Sequence, residues 1–195
     1  MLLLLGLNLC VKAQQPEASP LLELETKAIT QQDFEQYKNT FDSYQPPILD
    51  SNGIIKALNA YLVTNCDEIC ESHLLDQDGK VCLLPSDYDS GILGLLFSPD
   101  AKQMIVYSSY DGPEYSNFYE NRSEILIYEV DTTQGLKGIQ YAGSYTTPDW
   151  SLEDLTWVNS ETLALMVYRG SKTTQGVDGG YEYLSAKMMF ISPAK

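Results

Sequence analysis

From Gly79 onward the apolar residues come in short runs broken by Gly, Pro, Asp and Ser, and the runs favour the β-branched and aromatic types that fit a pleated surface. Strands are predicted over 80–84, 91–97, 103–108, 124–130, 139–145, 152–158, 162–169 and 181–191. The intervening "SPDAK" (98–102), "TTQG" (132–135) and "VNSE" (158–161) carry turn chemistry. Within the runs "MIVY", "ILIYEV" and "LALMVY" the apolar residues do not alternate with polar ones, so these strands are predicted to be sheet interior, buried on both faces or closely packed.

Upstream the period changes. Thr30 and Asp33 have the spacing of a capping box, and Phe34, Tyr37 and Phe41 then recur at helical intervals until "YQPP" ends the segment. A second helix is predicted after Asp50 or Ser51, with Ile54, Leu58, Tyr61 and Leu62 on one face. Residues 14–29, with Pro16, Pro20 and scattered Glu, read as a flexible tether. The pattern therefore predicts one α+β domain over 30–195. An N-terminal helical pair (30–75) precedes a predominantly antiparallel sheet of about seven to eight strands (79–192).

Two stretches of the strand-rich half are alike. "LLFSPDAKQMIVYSS" and "LTWVNSETLALMVYRG" each run from an aromatic strand end, Phe97 or Trp157, through a polar turn into an apolar strand ending at Tyr107 or Tyr168. Over residues 91–191 this resembles the blade repeats of TolB-type and WD40-type β-propellers, in which an aromatic, a Ser-Pro-Asp-Gly-Lys-like turn and a β-branched strand recur. Ala101 stands where those repeats usually have Gly. The resemblance implies blade-like sheet construction, with length for two blades at most, and a binding scaffold.

The first residues set the expected compartment. "MLLLLGLNLCVKAQQPEASP" places a short apolar run, Leu2 to Val11, before a polar segment, the pattern of a secretory signal cut after Ala13. The run is too short to span a bilayer, so membrane insertion is not expected. "LGLNLC" also resembles a bacterial lipoprotein signal, which would leave a lipid anchor at Cys10; either way the product is secreted, periplasmic or held at the cell envelope. The chain has 195 residues and a formal net charge of −15, which disfavours nucleic acid and anionic lipid as partners. A basic protein remains compatible with that charge.

Candidate chemistry is sparse. "CDEICESHLLDQDGKVC" (66–82) holds three of the four cysteines and the single histidine. Cys66, Cys70, His73 and Cys82 form a zinc-compatible set, but export favours a disulfide, and Cys70 with Cys82, or Cys66 with Cys82, is expected to bridge the "DQDG" turn. Asp87 and Asp89 in "SDYDSG" form a candidate cation site. No cofactor is predicted.

The surface segment "SSYDGPEYSNFYENRSE" (108–124) sets Tyr110, Tyr115, Phe118 and Tyr119 among Asp111 and Glu114, between strands that a short hairpin would suffice to connect. Long aromatic insertions of this kind bind partners, because Tyr offers contact area at small entropic cost. Trp150 is a further candidate contact, and "GSKTTQGVDGG" (170–180) a glycine-rich hairpin tip beside the loop. The expected function is non-enzymatic recognition of a protein or glycan, as in an envelope inhibitor or immunity-type protein. The alternative is an extracytoplasmic, glycan-acting hydrolase using a carboxylate pair such as Asp149 with Glu153 or Asp154.

Overall fold

The computed structural model describes residues 21–44, 54–68, 70–84, 92–110, 122–173 and 176–191. Strand β1 (Leu21–Ala28) and helix α1 (Gln31–Tyr44) lead into β2 (Ile54–Ile55), β3 (Ala60–Cys66), β4 (Cys70–Asp76) and β5 (Val81–Leu84). These are followed by β6 (Gly94–Phe97), β7 (Gln103–Tyr110), β8 (Arg122–Val130), a 3₁₀ segment (Thr132–Gly138) and β9 (Ile139–Thr147). The chain closes with β10 (Ser151–Asn159), β11 (Thr162–Thr173) and β12 (Gly176–Ile191). The fold is α+β and predominantly antiparallel.

One sheet has four strands in the order β2-β3-β4-β5, and the other has eight in the order β10-β11-β12-β1-β9-β8-β7-β6. The larger sheet has a seam, since β1 and β9 meet only through the parallel pair Leu21↔Ser144. On either side of the seam lies a four-stranded antiparallel unit, β6–β9 or β10–β12 completed by β1. The chain thus builds three such units in succession.

The unit β6–β9 is the middle layer. Ile105, Ile125 and Ile127 pack from one face of it onto Trp157, Leu163, Leu165, Val167 and Leu184 of the third unit. Met104, Val106, Leu126 and Tyr128 point the other way, onto Ile55, Leu58, Ala60, Leu74 and Leu84 of the first. All seven of these middle-layer side chains are buried, which explains the apolar runs without alternation. Helix α1 lies on β10, β11 and β12. Its Phe34 ring sits 5.5 Å from that of Tyr183, and the Lys38 ammonium bonds the Asp154 carboxylate.

The eight strands predicted between 80 and 191 are all present, and the capping box closes as predicted. Asp33 N–H donates to Thr30 Oγ1 (3.1 Å), and Thr30 N–H donates to Asp33 Oδ2 (3.0 Å). Two expectations fail. Residues 21–28, assigned to a tether, form a full-length strand paired with β12 from Leu21↔Ile191 to Ala28↔Leu184. Alternation of Leu22 and Leu24 with Glu23 and Glu25 suits a strand with one face inward.

The second helix is also absent among the described residues. Ile55, Leu58, Ala60 and Leu62 face the core from a β2–β3 hairpin, and Asn59 takes a left-handed conformation (φ 51°) that ends helical winding there. The helical part of the described chain is thus α1 and the 3₁₀ segment rather than 30–75.

Candidate functional site

The three units share a polarity. Strands β3, β7 and β11 leave tight turns at one end of the molecule and run toward the other. A groove of about 580 Å³ joins the turns 56–59 and 76–80 to the 3₁₀ segment, and one of about 510 Å³ joins the turns 98–102 and 160–161 to the same connection. The turns of all three units therefore lie at this end.

Side chains close these turns. Asp76 Oδ1 accepts from the amides of Asp78 (2.9 Å) and Lys80 (2.8 Å), and Gly79 supplies the positive φ (79°). Asp100 Oδ1 accepts from Ser98 Oγ (2.7 Å) and the Lys102 amide (3.2 Å). Asp131 takes the Thr133 amide and hydroxyl, and Asn159 Oδ1 takes the Glu161 amide. The carboxyls of Asp100 and Asp131 lie below the usual carboxylate range, chiefly because of the hydroxyls of Ser98 and Thr133.

The opposite end carries the β3–β4, β7–β8 and β11–β12 hairpins, and these are long or specially closed. The β3–β4 hairpin is clamped by a Cys66–Cys70 disulfide beside exposed Asp67 and Glu68. Strands β11 and β12 run on past their neighbours as a two-stranded arm, Arg169↔Gly180 to Thr173↔Gly176, after β10 has ended at Ser151↔Tyr168. Arg169 Nε donates to Glu182 at the base of this arm (2.9 Å). Strands β7 and β8 also reach this end, closing their ladder at Tyr110↔Arg122.

The ladder there is tied to the third unit. Ser123 Oγ donates to the Trp150 carbonyl (2.9 Å), and the Leu152 amide donates to the hydroxyls of Ser123 (2.7 Å) and Ser109 (2.8 Å). The middle and third units are thereby held together where the loop leaves the sheet.

Of the predicted binding residues, Tyr110 is the last residue of β7, paired with Arg122. Asp111, Glu114, Tyr115, Phe118 and Tyr119 lie outside the described residues, as do Asp87 and Asp89. Trp150 is corrected. It is 3 % exposed and stacks on Tyr145 with ring centroids 6.0 Å apart, so it belongs to the core beneath the loop root and offers no surface.

The expected bridges to Cys82 are likewise replaced by Cys66–Cys70, and Cys82 is buried and outside the disulfide. Register gives the reason. Cys82 sits opposite Leu74, four residues along β4 from Cys70, which is about 13 Å and far beyond the Cα separation a disulfide tolerates. Cys66 and Cys70 are direct cross-strand partners, with Cα atoms 4.0 Å apart. The bridge also takes two of the thiols that the zinc set would need.

The carboxylates of the hydrolase reading are occupied or dispersed. Asp154 is bonded by Lys38 and accepts its neighbour's amide, Leu155 N–H, at 2.9 Å, whereas Asp149 is exposed. Tyr107 has its phenol pushed up to about 12 by burial and then by Asp154, so it stays protonated. No group of three or more His, Cys, Asp or Glu suited to a metal occurs among the described residues, and no described helix is long and apolar enough to cross a membrane.

Sequence reasoning missed Asp67 and Glu68 as members of the hairpin end, because it assigned 30–75 to a helical pair. A cross-strand reading of "AYLVTNC" against "CESHLLD" would have found them. Comparison with models of known protein families, with curated proteins and with solved structures gave no match to this chain.

Proposed function

We propose that this chain is an exported, non-enzymatic recognition protein that captures a protein partner with its hairpin end, the Tyr-rich loop 111–121 supplying the main contacts. The observation that carries the reading is the shared polarity of the three units. The strand pairs β3–β4, β7–β8 and β11–β12 all turn at one end of the layered base, the first clamped by a disulfide, the second joined through a long aromatic sequence and the third extended as an arm. Rigid scaffolds that gather loops at one end are the common design of binding proteins.

The acidity of this end supports a basic partner. Asp67, Glu68 and Glu71 lie on the first hairpin, and the sequence joining β7 to β8 carries Asp111, Glu114 and Glu120. The partner of an envelope inhibitor or immunity-type protein would suit this charge. The three units also support a blade-like reading of the fold, with the N-terminal strand completing the last unit as the closing strand of a propeller does.

The test is capture from an envelope fraction with residues 14–195, identified by mass spectrometry, beside a variant with Asp111, Glu114 and Glu120 changed to Lys. The expected result is a partner that the intact chain retains and the charge-reversed chain loses. Equal retention by both, or nothing retained by either, overturns the proposal.

A further inference from the structure

The groove at the turn end between the first unit and the 3₁₀ segment differs in charge from the rest of this acidic molecule. Lys56, Lys80 and Lys137 line it, against Asp76 and Asp78. Lys80 is committed, its Nζ lying 2.8 Å from Asp78 and 3.5 Å from Asp76. Lys56 and Lys137 are exposed and have no carboxylate partner among the described residues. The neighbouring groove has the opposite balance, with Asp100, Glu129, Asp131 and Glu161 against Lys102 alone. In a chain of net charge −15, a cleft with two uncommitted ammonium groups is a local reversal of sign.

The remaining lining is amphipathic. Leu58 and Leu136, each 3 % exposed, give an apolar floor. Gln77 Nε2 donates to Asn59 Oδ1 (3.3 Å), which leaves the Asn59 amide nitrogen as donor and the Gln77 carbonyl as acceptor beside each other. Such a pair suits adjacent hydroxyls, and the volume of about 580 Å³ suits one or two sugar rings.

We propose that this groove binds a small hydroxylated anion of the sugar-acid class, its carboxylate held by Lys56 and Lys137 and its hydroxyls by Asn59 and Gln77. The site lies at the end opposite the Tyr110↔Arg122 pair from which the Tyr-rich segment departs, and does not depend on partner capture there.

The test is titration of the ¹⁵N-labelled chain with glucuronate, glucose and inorganic phosphate at low salt. Glucuronate is expected to shift the amides of 56–59, 77–80 and 132–137, and glucose to bind at least about tenfold more weakly, the loss expected for one charge-assisted hydrogen bond. Lys56→Gln and Lys137→Gln, both at exposed positions and checked for unchanged melting, should each weaken glucuronate by about the same factor. Raising the salt should weaken it further. Phosphate matching glucuronate would overturn the sugar-acid assignment and leave a plain anion site. Absence of shifts in these segments, or glucuronate binding unaltered in both variants, would overturn the site.

Discussion

At the turn end of the molecule, the described connections are short and most are closed by their own side chains; at the hairpin end, the chain keeps going. The Asp76, Asp100 and Asp131 carboxylates and the Asn159 amide oxygen accept from backbone N–H groups two to four residues away. At the other end, β11 and β12 outrun their neighbours and residues 111–121 separate two strands that could be joined by two residues. The contrast teaches that this fold can be completed without its hairpin end. Chain length there beyond folding needs is where function is to be sought.

The sharpest way to break that contrast is to remove the loop. Replacing 111–121 with Asn-Gly joins Tyr110 to Arg122 through a two-residue turn of the kind antiparallel strands favour. Partner capture should fall below detection, while the thermal midpoint should stay within a few degrees, because the Ser109, Ser123 and Trp150 bonds below the loop remain. Collapse of the fold would show instead that the loop serves the core.

The disulfide probes the same end more gently. Cys66 and Cys70 already face each other in a hairpin, so the bridge closes only a five-residue loop. Chain entropy assigns it about 2 kcal/mol, against about 3 for the longer loops first expected. Cys66→Ser with Cys70→Ser should lower stability by no more than about 2 kcal/mol in urea unfolding. A larger loss would mean that the clamp holds more than its own hairpin.

Much of the β architecture was legible because its signals are local. Runs such as "ILIYEV" and turns such as "SPDAK" specify strand and turn without reference to distant residues, and both are where the pattern puts them. What was not legible depends on partners far along the chain. Strand β1 is specified by β12, some 160 residues away in sequence, and its Glu residues, following Pro16 and Pro20, resemble a tether. The hairpin of β2 and β3 was hidden by an accident of spacing, since Ile54, Leu58, Tyr61 and Leu62 satisfy a helical period as well. That one error also misassigned the cysteines, because it placed Cys66 and Cys70 on successive helical turns instead of across a ladder. Trp150 was misread because a Trp beside Pro and Asp looks exposed in sequence, and only the third dimension supplies Tyr145 to cover it.

Acid should attack the side-chain-closed turns, and the Asp33 cap of α1 with them, before the sheets. Asp78, Asp100 and Asp131 have folded-state values below the ordinary one, through Lys80, Ser98 and Thr133 respectively. A carboxyl depressed in this way contributes stability that is fully present above its unfolded value, near 3.9, and is lost as pH falls through the lower folded value. Amide shifts of Lys102 and Thr133 should therefore move below about pH 4, ahead of those in β8. Simultaneous movement of all three would show that the turns do not respond separately from the layers.

The smallest effect tests whether the turn end is as finished as it looks. Ala101 occupies a left-handed conformation (φ 56°) in the turn between β6 and β7, where its Cβ crowds the backbone. Asn59 holds the matching place before β3 at φ 51°, a residue type that tolerates it. Ala101→Gly relieves the steric cost but gives the unfolded chain more freedom, and the first term is the larger, so a net gain of roughly 0.5–1 kcal/mol is expected. Asn59→Ala should lose a similar amount, together with the bond from Gln77. Opposite signs at the two positions, read as shifts of a few degrees in melting, would confirm that both turns demand the same backbone and that only one of them has the residue for it. A loss at both would mean that the Ser98 and Asp100 bonds hold the turn so firmly that residue 101 no longer matters to its conformation, and that the entropy of the unfolded chain decides the balance.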